Sequence, residues 1–144
     1  MSLVQNVLNK KGGDVATVDH NATVLEAAEK MNERRIGAVM VMDGEKIAGI
    51  FTERDILCRI VAARKDPALV PVREVMTTKI AVCSPETTLE SCRAAMTQNK
   101  MRHLPVVEGD RLVGMISSGD ILARELAEQE EAIRWLHEYM HGPN

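Results

Sequence analysis

The sequence predicts an α/β (α+β) protein made of two β-α-β-β-α units packed about a pseudo-twofold axis, with a helical extension at the C-terminus. Three observations carry this. Val15 to Leu57 aligns without a gap on Ile80 to Leu122 at an offset of 65, with 9 identities in 43 positions, so the chain holds two copies of one unit. Apolar positions and turn glycines coincide between the copies. Aromatic residues make up 2% of the chain against 45% hydrophobic, which leaves Val, Ile, Leu, Ala and Met to fill closely packed layers.

Each element follows from local pattern. "VQNVL" (Val4 to Leu8) leads into the first copy and is followed by an extra "KKGG"; "VREVMT" (Val72 to Thr77) leads into the second. A short apolar strand comes next, Val15 to Val18 and Ile80 to Cys83. A helix follows, its apolar face recurring at helical spacing through Val24, Ala28 and Met31, and through Leu89, Cys92 and Met96. Thr23 with Glu26 and Thr87 with Glu90 read as capping boxes at its start. Two strands then turn tightly at "DGEK" and "EGDR", where Gly44 and Gly109 supply positive φ. A second helix begins after Thr52 and after Ser117. The polar, Pro-marked "ARKDPALVPVRE" separates the copies, giving a first repeat at 4–65, a second at 72–125 and an extension at 126–144. Neither copy has sheet enough to bury both faces alone, so the two are expected to pack sheet to sheet.

Composition narrows the function classes. A net charge of −3 gives no electrostatic footprint for nucleic acid, and stacking platforms for single strands are missing. No apolar run is long enough to span a bilayer. Cys58, Cys83 and Cys92 are odd in number without CxxC spacing, which fits free thiols in a reducing compartment, the cytoplasm or an organelle interior.

"GIFTERD" (Gly49 to Asp55) and "GMISSGD" (Gly114 to Asp120), with the lead-in "VREVMT" and the strand "MRHLPVV" (Met101 to Val107), resemble the signature of the CBS domain, a regulatory module that occurs in tandem pairs. The likeness covers residues 4 to about 125, and the whole chain is similar to small stand-alone CBS-pair proteins of bacteria and plant organelles. The resemblance implies clefts between the halves for an adenosine ligand such as AMP, ADP, ATP or NAD, held as a regulatory ligand with no catalytic cofactor. Carried over by motif position, Asp55 and Asp120 would take the ribose hydroxyls, and Thr52 and Ser117 phosphate oxygens. Ala16 and Ala81 would meet adenine, with Val15, Thr17, Ile80 and Met115 beside them. Arg102 and His103 would face phosphate, next to Gly119. Gly49 and Gly114 would let the ligand approach the backbone. The same Thr52-x-x-Asp55 and Ser117-x-x-Asp120 spacings also read as helix caps. Glu53 beside Thr52 opposes phosphate, whereas Ser118 and Gly119 are uncharged, so charge ranks the Asp120 cleft as the one for the more phosphorylated ligand.

From Ile121 the last helix is expected to run on, with Leu122, Leu126, Gln129, Ile133, Leu136 and Met140 forming one stripe that needs a partner surface, in a homodimer or against the module itself. Near its end "HEYMH" (His137 to His141) matches a zinc-peptidase pattern. The bland reading is a helix end: imidazoles suit the negative end of the helix dipole, and Gly142-Pro143 stops the helix. The leading expectation is a non-enzymatic sensor of an adenosine ligand that pairs into a homodimer and signals to an unidentified regulated protein. Its rivals are a ligand-free interaction scaffold and a zinc hydrolase.

Overall fold

The computed structural model describes residues 2–142. Helix α1 (Val4–Lys11) precedes strand β1 (Thr17–Asp19), helix α2 (Val24–Arg34) and strands β2 (Ala38–Asp43) and β3 (Lys46–Thr52). The short α3 (Glu53–Asp55) continues as a π-helical segment, Ile56–Val61. A single 3₁₀ turn, Val72–Glu74, leads to α4 (Leu89–Asn99), β4 (His103–Glu108), β5 (Arg111–Ser117) and the long α5 (Ser118–His141). The offset of 65 maps α2 onto α4, β2 onto β4 and β3 onto β5 end to end. Gly44 (φ +64°) and Gly109 (φ +60°) turn the two hairpins, where a Cβ would be strained.

The first-copy sheet has the order β1-β2-β3, β1 parallel to β2 and β2 antiparallel to β3; the second is the antiparallel pair β4-β5. The expected strand Ile80 to Cys83 is therefore missing as a regular element. Only Cys83 bridges in parallel to Val106. The reason is chemical. In the first copy the Met40 amide donates to the Ala16 carbonyl at 3.0 Å; the equivalent residue in the second copy is Pro105, which has no N–H to give. The first strand also lies slightly later than Val15 to Val18.

Helix starts follow the repeat. Thr23 accepts from the Glu26 amide at 3.1 Å, and Thr88 from the Ser91 amide at 3.1 Å. The Thr87/Glu90 cap is thus displaced by one residue, because Thr87 is held in a turn with Ser84, whose amide donates to the Thr87 hydroxyl at 2.9 Å. On α2 the buried face is Val24, Ala27 and Met31, with Ala28 at its half-buried edge.

The cores exchange their lead-ins. Val70, Val72 and Val75 pack into the first copy with Val24, Met31, Val39, Phe51 and Ile60. Val4, Val7 and Leu8 of α1 pack into the second copy with Leu89, Cys92, Met96, Leu104, Val106 and Ile116. A third cluster joins the two sheets: Ala38, Met40 and Ile50 with Val15, Met42, Ile47, Ile80, Leu112 and Met115. The lead-ins lie over the motif glycines. A Cβ at Gly114 would come 2.8 Å from Leu8 Cδ2, and one at Gly49 2.7 Å from Met76 Sδ and 2.8 Å from the Thr77 carbonyl oxygen. These glycines admit the protein's own chain.

Helix α5 is continuous across the expected boundary at residue 126 and ends at Gly142 (φ +76°), whose amide donates to the Glu138 carbonyl at 2.8 Å; Pro143 lies outside the described residues. From Gln129 to His141 every residue is exposed. The stripe of Ile133, Leu136 and Met140 does not dock on the module.

Candidate functional site

Strands β3 and β5 end in extended residues, Thr52 and Ser117, each of which caps the helix that follows. The Thr52 amide donates to Asp55 Oδ2 at 3.0 Å while the Asp55 amide donates to Thr52 Oγ1 at 3.4 Å. Ser117 and Asp120 exchange the same pair at 2.8 and 3.1 Å. Both spacings are therefore capping boxes, as their pattern allows, and the chemistry of each cleft depends on what else meets the carboxylate.

Asp55 is the buried acid of the core, 7% exposed. Its other oxygen accepts from the Thr77 hydroxyl at 3.2 Å and lies 3.7 Å from Arg59 Nε. A buried carboxylate is tolerated because it is hydrogen-bonded and paired. Beside it opens a cleft of about 510 Å³ that brings Thr52 to Asp55 of the first copy together with Lys100 to His103 of the second, with Thr77 and Gly37 on its walls. This volume suits a small organic ligand. Four cationic side chains, Arg54, Arg59, Lys100 and Arg102, line it against the carboxylates of Glu53 and Asp55. His103 adds no charge at neutral pH: burial, and then the neighbouring Arg102, hold its pKa below the ordinary 6.5 despite Glu53 and Asp120. Of the two residues expected to face phosphate, Arg102 thus brings a cation and His103 a neutral imidazole.

The helix start at Asp120 differs. Lys11 Nζ lies 2.7 Å from Asp120 Oδ2 and donates to the Met115 carbonyl at 3.0 Å. Burial pushes the Asp120 pKa up, but the bonds from Lys11 and Ser117 outweigh it and leave it lowered. Lys100 and Arg102 line the Asp55 cleft and also a cavity of about 400 Å³ with Ser118 and Ile121 at the start of α5, and a lysine covers Asp120. Gly119 sits in the first turn of α5 with space beside it.

The first-strand residues divide. Val15, Ile80 and Met115 meet in the layer between the sheets. Ala16 is buried in the first core and Ala81 packs against the second. The Ala16 carbonyl is taken by Met40, whereas Pro105 leaves the Ala81 carbonyl without that bond. The Thr17 carbonyl accepts from Lys30 Nζ. Sequence reasoning missed Thr77, Arg59 and Lys11. Thr77 stood in a recognised lead-in and Lys11 in the extra "KKGG", but neither segment pointed to the other copy's helix start.

His137 and His141 lie on the exposed end of α5, ring centroids 4.5 Å apart. Among the described residues no three His, Cys, Asp or Glu side chains gather as a metal site, and no helix is long and apolar enough to cross a membrane. The three cysteines are free thiols, Cys83 and Cys92 buried and Cys58 exposed.

The CBS domain family model matches residues 4–62 and 72–127. The CBS domain-containing protein YhcV of Bacillus subtilis is 34% identical over 129 residues, 90% of this chain and 89% of that protein. A CBS-domain protein of Burkholderia ambifaria has a solved structure similar at a TM-score of 0.85 and 38% identity, over 89% of this chain and 96% of that one. The CBS domain pair of protein MJ0100, solved in complex with 5′-methylthioadenosine and S-adenosyl-L-methionine, shares the fold at a TM-score of 0.77 and 24% identity, over 90% of this chain and 98% of that one. Two matched repeats, two signature turns and two sheets facing one another place this chain in the CBS domain family, as a tandem pair.

Proposed function

We propose that this chain is a non-catalytic regulatory module that binds an anionic adenosine ligand in the Asp55 cleft and passes its occupancy to a separate protein. The observation that supports this reading is the cleft itself: a helix start with a fixed carboxylate faces Lys100, Arg102 and His103 across the two copies. In this reading Asp55 and Thr77 hold ribose hydroxyls, while Arg102, Arg54 and the amides after Thr52 hold phosphate. The excess of cationic side chains favours AMP, ADP, ATP or NAD over a sulfonium ligand such as S-adenosylmethionine, for which like charge is unfavourable. The bound pair of protein MJ0100 supports the adenosine class, and charge selects within it. We further place the protein in the cytoplasm or an organelle interior as a homodimer, the exposed α5 stripe meeting a second copy.

Calorimetry with AMP, ADP, ATP, NAD and S-adenosylmethionine tests the reading. Arg102→Ala is expected to weaken the phosphorylated ligands about 10- to 150-fold, the loss of a hydrogen bond between charged groups, and to leave S-adenosylmethionine unchanged or tighter. If none of the five gives heat or raises the melting temperature, the reading fails, and a ligand-free scaffold takes its place.

A further inference from the structure

Resting on the nucleotide reading, we infer that Lys11 is a tethered occupant of the ligand position at Asp120 and decides that each chain takes one nucleotide, in the Asp55 cleft. The two lead-ins align at an offset of 68, Leu8 on Gly114 as Met76 is on Gly49, whereas the helices and strands align at 65. The first lead-in thus carries three extra residues. The second lead-in makes one 3₁₀ turn and then pairs with β3 through its backbone, the Thr77 amide donating to the Ile50 carbonyl at 2.8 Å. The first instead continues as a helix to Lys11. The result is a substitution of one group for another. At Asp55 the Ile50 carbonyl is met by the Thr77 amide and the carboxylate by the Thr77 hydroxyl and, at 3.7 Å, by Arg59 Nε, and the cleft stays open beside them. At Asp120 the equivalent carbonyl, of Met115, and the carboxylate are both met by one ammonium.

Lys11 is held in place. Val4, Val7 and Leu8 anchor α1 in the second core. Gly12 leaves the helix at φ +89°, its amide bonded to the Leu8 carbonyl at 2.7 Å. Gly13 passes so close to β5 that a Cβ there would lie 2.6 Å from the Val113 carbonyl oxygen. The Lys11 side chain is 37% exposed, the Asp120 carboxylate 24%. An ammonium donating to Asp120 Oδ2 stands where a ribose hydroxyl would donate and satisfies the same lone pairs. It is also the first group an incoming ligand must displace.

The test is binding stoichiometry on the full chain, by calorimetry with AMP and in parallel with ATP. Wild type is expected to bind one equivalent, which Arg102→Ala weakens. Lys11→Met, or Lys11→Gln as an independent neutral variant, is expected to bind two. Adding Asp120→Ala to Lys11→Met should return the count to one, and Lys11→Arg should keep it at one. Two equivalents on wild type, or one on both neutral variants, overturn the inference while leaving the nucleotide reading intact. No binding by any of these proteins overturns the nucleotide reading and this inference with it.

Discussion

Exchange of lead-ins between the cores makes Leu8 and Gly114 a coupled pair although 106 positions separate them in the sequence. Leu8 is 8% exposed, packed among Leu89, Met96 and Leu104. Truncating it to Ala is expected to destabilise the protein by about 2–5 kcal/mol, toward the lower end because the site lies at the margin of the core. Gly114→Ala places a Cβ 2.8 Å from Leu8 Cδ2 and 3.2 Å from Cδ1. Overpacking of this kind costs about 1–3 kcal/mol, offset by about 0.4–1 kcal/mol from a stiffer unfolded chain. In the double variant the new methyl enters the space that Leu8 vacated. The loss should therefore fall short of the sum by at least about 1 kcal/mol, a coupling expected only of groups in contact. Gly49→Ala is the contrasting case. There the Cβ meets the Thr77 carbonyl oxygen, which is tied to the Ile50 amide at 2.9 Å. Backbone cannot swing aside as a leucine does, so Met76→Ala should rescue little of a loss of at least about 2 kcal/mol. Urea denaturation of the set decides it. Additivity of Leu8→Ala and Gly114→Ala within about 0.5 kcal/mol would show that α1 does not pack on the second sheet, and the swap would be wrong.

His103 has a folded pKa below 6.5, so the unfolded chain protonates first and stability declines as pH falls below about 6.5; Asp120, with its pKa held below 3.8, contributes stability above that value which is lost in stronger acid. A phosphate beside His103 should raise its lowered pKa, so nucleotide binding takes up a proton and tightens on acidification, an effect that calorimetry in buffers of different ionisation heat should see and His103→Gln should abolish. Ile133 and Leu136 are 69% and 52% exposed in the single chain, so Ile133→Glu with Leu136→Glu should change the stability of a monomer by no more than about 0.5 kcal/mol each. Light scattering should nevertheless show a dimer for the wild type and a monomer for this variant; a wild-type monomer refutes the proposed pairing, and a variant that stays dimeric places the interface elsewhere.

The repeat, helices α2, α4 and α5, the hairpin turns and the helix starts at Thr52 and Ser117 were legible in the sequence, because each is dictated by neighbours within a few residues: apolar spacing, a capping hydroxyl, a glycine at positive φ. The signature Asp55 and Asp120 were legible for the same reason, as caps. The missing strand at Ile80 to Cys83 was legible only in part; Pro105 stood in plain view, but its missing N–H matters only once Ala81 is its partner. Tertiary structure alone decided the rest. That Val4 to Leu8 completes the second core and Val72 to Val75 the first depends on which apolar face each copy leaves uncovered, a property of two folded surfaces that no local pattern encodes. The same exchange carries Lys11 to Asp120 and Thr77 to Asp55, so two nearly identical motifs acquire different chemistry from residues that belong, in sequence, to the other copy's approach. Hydrogen bonds and charges act through distances of a few ångströms, and those distances between remote segments are set only when the two halves close on one another.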